Sequence, residues 1–86
     1  MIFDYTPKGG VCSKKMRVTL DDKNVIEKVE VLGGCSGNLQ GISSLVVGMS
    51  AEEAIRRMRG IRCGFKDTSC PDQLAHALEA ALASEQ

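Results

Sequence analysis

The chain has no tryptophan, one tyrosine and two phenylalanines among 86 residues. So few aromatic rings leave nothing on which successive bases could stack, which argues against single-stranded nucleic-acid binding. Excess charge of either sign is also missing: 11 Lys and Arg balance 11 Asp and Glu. A DNA- or RNA-binding face needs a basic surplus to neutralise phosphates, and none is present. Long apolar runs are lacking too. Stretches such as Leu45–Val47 fall far short of the roughly 20 residues that span a bilayer. No charged head followed by an apolar run opens the chain, so no signal peptide is expected and the protein reads as cytoplasmic. With a single histidine, His76, no Ser–His–Asp set can be assembled. The glycines of Gly33–Gly37 are not followed by the Lys-Ser/Thr of a phosphate loop. Residues 1–86 read as one small domain with a thin core, the kind that gains from a metal, a disulfide or a partner.

What is present is a set of four cysteines: Cys12, Cys35, Cys63 and Cys70. Cytosolic thiols are normally kept reduced, which favours metal binding over a disulfide framework. The remaining alternatives are redox thiols and ordinary buried cysteines.

Hydrophobic periodicity divides the chain into strands followed by helices. Ile2–Thr6 is an expected edge strand. Lys15–Leu20 alternates, with Met16, Val18 and Leu20 on one face and Lys15, Arg17 and Thr19 on the other. The turn residues Asp21-Asp22-Lys23-Asn24 lead into a β-branched run, Val25–Leu32, so an antiparallel hairpin is expected. A first helix is expected from an Asn38 cap, with Leu39, Ile42, Leu45 and Val46 as its apolar positions and Gly48 as its stop. Ser50-Ala51-Glu52-Glu53 reads as a capping box, with Glu53 reaching back. The helix it opens carries Ala54, Ile55 and Met58 inward and Arg56, Arg57 and Arg59 outward, with Arg62 beyond Gly60 also expected to face solvent. A last helix opens near Cys70-Pro71-Asp72 and buries Leu74, Ala77, Leu78, Ala81 and Leu82. Strands before helices indicate an α+β domain: a small antiparallel sheet with three helices on one face.

The hairpin predicts a meeting of two thiols. With Leu20 opposite Val25, Cys12 lies across from position 33, two residues short of Cys35. Cys35 and Cys70 both fall at the start of an expected helix, where unpaired N–H groups favour a thiolate. Cys63 precedes Cys70 in one loop. All four lie in loops or at element ends rather than within the apolar stripes. Four sulfurs suit a tetrahedral Zn²⁺ or an iron–sulfur centre. His76 reads as a surface or half-buried residue rather than a ligand.

The string Thr68-Ser69-Cys70-Pro71-Asp72 resembles the signature of the TSCPD domain, and length and cysteine count agree over the whole chain with the small four-cysteine proteins of that group. A related domain forms the C-terminal part of adenosylcobalamin-dependent ribonucleotide reductases. The resemblance implies an accessory or interaction module with a protein partner, such as a reductase. A thiol-redox or regulatory role in ribonucleotide reduction is an alternative, although the chain lacks the machinery of a complete enzyme. A more distant similarity links it to U-type iron–sulfur cluster scaffolds. Cys12 precedes a hairpin, Gly34-Cys35 leads to Ile42-Ser43-Ser44, and Cys70 opens the final helix. That likeness implies the scaffold fold, and Cys12, Cys35 and Cys70 as ligands of a cluster or of zinc. Lys14 and Ser69 stand where the scaffold has an aspartate and a histidine, and Cys63 is an added thiol. These departures favour a closed four-sulfur site holding zinc, with an iron–sulfur cluster carrier as the alternative. Association of two copies is compatible with the sequence.

Overall fold

The alternation of Lys15–Leu20 is realised as the central strand of a three-stranded antiparallel sheet. The computed structural model describes residues 1–8, 13–33, 36–62, 64–65 and 67–84. Strand β1 (Ile2–Tyr5) pairs with β2 (Ser13–Leu20), and β2 with β3 (Ile26–Gly33). Three helices follow: α1 (Ser36–Val46), α2 (Ala51–Met58) and α3 (Cys70–Ser84). The fold class is therefore α+β, as the element order predicts. Met16, Val18 and Leu20 are fully buried beneath the helices. On the other sheet face Arg17 pairs with Asp4 at 2.6 Å and Lys28 with Glu30 at 3.0 Å.

The hairpin register differs from the expected one. Leu20 lies opposite Ile26, not Val25, and the pairing shifts between Ser13 and Lys15 and again between Thr19 and Leu20. Each shift is a β-bulge, with Lys14 the extra residue on β2 and Glu27 the extra residue on β3. The second bulge explains how Ile26 and Val29, three apart, are both buried in one strand. Val25 instead forms an isolated bridge with Ser50. The turn is held by Asp21, whose carboxylate accepts from the N–H groups of Lys23 at 2.8 Å and Val25 at 2.9 Å. Those backbone donors, Val25 first, pull the Asp21 pKa below its ordinary value. Asn24 takes the left-handed conformation, φ +62°, which Asn tolerates better than most residues.

Helix α1 begins at Ser36, so Asn38 lies inside it rather than capping it. Leu39 and Val46 are buried and Ile42 packs against the core, but Leu45 is 77% exposed. Adjacent positions sit about 100° apart on a helix, and Val46 takes the inward direction. Ser50 caps α2 by accepting from the Glu53 N–H at 3.2 Å. The Glu53 carboxylate does not reach back as expected: it binds Arg57 at 2.8 Å and also Arg56. Ala51, Ala54 and Met58 are buried, Ile55 is half-buried, and Arg56, Arg57, Arg59 and Arg62 are exposed. Gly60, at φ +88°, turns the chain beyond α2.

Helix α3 is the centre of the domain. It packs against β1, β2 and α2 and contributes Leu74, Ala75, Ala77, Leu78 and Ala81 to the core. Its alanines allow close approach from several sides. Leu82 is half-buried at the core margin.

Candidate functional site: the start of the last helix

Cys70 is the first residue of α3 and is half-buried. Cys12, Cys35 and Cys63, the other three expected ligands, lie outside the described residues. Among the described residues no three Cys, His, Asp or Glu side chains form a group able to hold a metal ion. The structure instead shows in detail how the chain around Cys70 is built and what it is tied to.

Ser69 acts on both sides of the helix start. Its hydroxyl accepts from the Asp72 N–H at 3.1 Å, the bond of an N-cap, and donates to the carbonyl of Ile61 at 2.7 Å. Asp72 reaches back in turn. One carboxylate oxygen accepts from the Gly60 N–H at 2.7 Å and the other from the Thr68 hydroxyl. Gln73 Nε2 donates to Thr68 Oγ1 at 2.9 Å. Gln73 Oε1 accepts from the Tyr5 hydroxyl at 3.1 Å and from the Lys8 N–H at 2.9 Å. Thr68, Ser69, Asp72 and Gln73 are all buried, and their polar atoms bind one another, the Tyr5 hydroxyl or distant backbone. This network was not expected from the sequence. The Ser-x-x-Asp spacing of a capping box at 69–72 is the signal that could have revealed it.

These bonds gather separate parts of the chain. Through Gln73 the first turn of α3 holds Lys8 and the end of β1. Tyr5 pairs with Met16, and Met16 with Val31, so this is the end of the sheet where β2 begins and β3 finishes. There Ser13, the neighbour of Cys12, pairs with Gly33, two residues before Cys35. Through Ser69 and Asp72 the same turn holds Gly60 and Ile61, just ahead of Cys63. The first turn of α3 is thus bonded to residues near Cys12 and Cys63 in sequence, and the Ser13–Gly33 pair, beside Cys12 and near Cys35, lies at the same end of the sheet as Tyr5.

Electrostatics follow the same contacts. Burial works against the Asp72 carboxylate, but donors from Thr68 and Gly60, and His76 nearby, outweigh it and lower its pKa. Burial raises the Tyr5 pKa, assisted by the charges of Asp72 and Glu79. His76 is half-buried, 3.4 Å from Asp72 and 3.5 Å from Glu79, and Arg59 approaches the same Glu79 oxygen at 3.3 Å.

A family model for the TSCPD domain matches residues 2–82. The chain belongs to the TSCPD domain family. No curated protein and no solved structure matches it. The TSCPD pentapeptide is the hydrogen-bonded knot just described. Thr68 and Asp72 bind each other, Ser69 caps the helix and holds Ile61, and Pro71 occupies the first turn, where a missing N–H leaves no bond unmade. Four of the five signature residues therefore have a structural task at the start of the helix whose first residue is the fifth, Cys70. No helix among the described residues of this TSCPD domain is long and apolar enough to cross a membrane.

Proposed function

We propose that this TSCPD domain is a four-cysteine metal-binding interaction module, with Cys12, Cys35, Cys63 and Cys70 as the ligands of one zinc ion. The observation that carries the reading is the knot at the start of α3. Its hydrogen bonds tie the helix start that carries Cys70 to Lys8, four residues before Cys12, and to Ile61, two before Cys63, while Ser13 and Gly33, which flank Cys12 and Cys35, pair at the end of the sheet where Tyr5 is bound. Four thiols form a donor set suited to tetrahedral zinc. The ion, when bound, supplies cross-links between loops, which is where a small core needs them. The chain's own part is to hold the helix start, the β2–β3 end and the segment after α2 in register with one another. The resemblance to the C-terminal domain of ribonucleotide reductases supports a reductase as the protein partner, and the lack of a signal-peptide pattern supports a cytoplasmic location.

The test is metal analysis of protein purified without oxygen and with reductant. One zinc per chain is expected, with no visible colour. Cys70→Ser should lose the ion and lower the melting temperature of the metal-replete protein. A protein that takes up no zinc, or a Cys70→Ser variant with full zinc content and unchanged stability, would refute the reading. A brown protein with visible charge-transfer bands would replace zinc with an iron–sulfur cluster and point to a carrier. Reductase capture by immobilised domain is the expected outcome for the partner, and no binding to purified reductase would remove it.

A further inference from the structure

From Leu32 to Ala51 no residue carries a charge, in a chain that is 26% charged overall. This stretch contains the whole of α1. The outward side of α1 shows two further anomalies. Gly41 stands in the middle of the helix, exposed, and an added Cβ there would meet nothing within 4 Å. Glycine is a poor helix former, and no packing or positive φ among the described residues requires it. One turn further on, Leu45 projects into solvent at the rim of an apolar cleft of about 310 Å³ that runs between α1 and α2. Val47, just beyond the helix, is also exposed.

We propose that the outward face of α1 is a self-association surface, and that its occupant is a second copy of this chain. Positions 41 and 45 share one helix face, one turn apart. Two such helices crossing antiparallel about a two-fold axis near Ser43 set Leu45 of each copy over Gly41 of the other. The projecting leucine fills the gap left by the missing side chain, and both contacts form at once, as a two-fold interface requires. Charge selects the occupant. A foreign surface of average composition is about one-quarter charged and would bury charges against a helix with none to answer them. A second copy brings the same charge-free helix. Depletion of charge is also the compositional mark of an interface core. Arg57 of α2, which lines the same cleft, is engaged by Glu53 at 2.8 Å.

Sedimentation equilibrium of the full chain, zinc-supplemented and in reductant so that no intermolecular disulfide contributes, tests the proposal. The wild type is expected to be a dimer at tens of micromolar. Leu45→Glu should raise the dissociation constant by more than about tenfold, because it buries a charge at the centre of the patch. Gly41→Gln should do the same by filling the notch. It substitutes a better helix former at an exposed site, so its fold is secured, and far-UV circular dichroism verifies both variants. A monomeric wild type at these concentrations overturns the proposal. So does either folded variant that associates as tightly as the wild type.

Discussion

Replacing Asp72 with alanine tests whether the knot at the start of α3 governs the stability of the domain. Asp72 is 4% exposed, and its carboxylate accepts two bonds, one from the Gly60 N–H and one from the Thr68 hydroxyl. Bonds to a charged group contribute about 1.5–3 kcal/mol each. The Thr68 hydroxyl keeps the Gln73 amide as a partner after the change, whereas the Gly60 N–H loses its acceptor. The favourable charge at the helix N-terminus disappears as well, about 0.3–1 kcal/mol. A loss of about 3–4 kcal/mol follows, a large share of the roughly 5 kcal/mol expected for a domain near the lower end of the stability range. Thermal unfolding followed by circular dichroism should show a drop of roughly 15–25 °C. Asp72→Asn keeps an acceptor for Gly60 without the charge and should lose about half as much. The pH dependence has a defined sign. The folded-state pKa of Asp72 lies below its unfolded value. Its contribution is therefore complete above the unfolded value, about 4, and is lost as the pH falls through the folded one. The gap between wild type and Asp72→Ala should be constant near neutrality and close below about pH 4. An alanine variant within about 1 kcal/mol of wild type at pH 7, or a gap that widens in acid, would refute the reasoning.

Ser69→Ala removes both an N-cap and the bond to the Ile61 carbonyl, and urea titration should show a loss of about 1–2 kcal/mol. Leu78→Ala opens a cavity in the core beside the helix that packs against β1, β2 and α2; about 2–5 kcal/mol is expected by the same titration. Gly60→Ala forces a side chain into φ +88° and should cost about 1–2 kcal/mol, measured as a lowered melting temperature, although nothing crowds the position.

The fold was legible wherever side-chain period maps directly onto burial. Met16, Val18 and Leu20 identify a strand and its inner face, and Pro71 and Asp72 mark the first turn of α3. A period does not locate an inserted residue, so the bulges at Lys14 and Glu27 displaced the hairpin register. Their trace was the spacing of Ile26 and Val29, which a regular strand would put on opposite faces. Leu45 and Val46 compete for one inward direction, and only tertiary packing decides between them. Ala75 lies outside the narrow stripe of α3 because that helix is covered by the sheet on one side and α2 on another. Thr68, Asp72 and Gln73 were hidden for a different reason: each is polar, and their burial depends on one another. Of the candidate ligands, the position of Cys70 at a helix start was readable from its neighbours. Cys12, Cys35 and Cys63 fall outside the described residues.

The central place of α3 has a consequence for how the chain acquires its structure during synthesis. Residues 1–69 emerge from the ribosome first, and without α3 the inner face formed by Met16, Val18 and Leu20 has lost its main cover. The hydroxyl of Tyr5 finds its acceptor only when Gln73, 68 positions later, has been made. Such distant closure delays folding until the domain is nearly complete. The nascent chain carries its first three thiols, Cys12, Cys35 and Cys63, before the helix that positions the fourth exists. Protection of those thiols from oxidation in that interval falls to the surrounding compartment rather than to the fold.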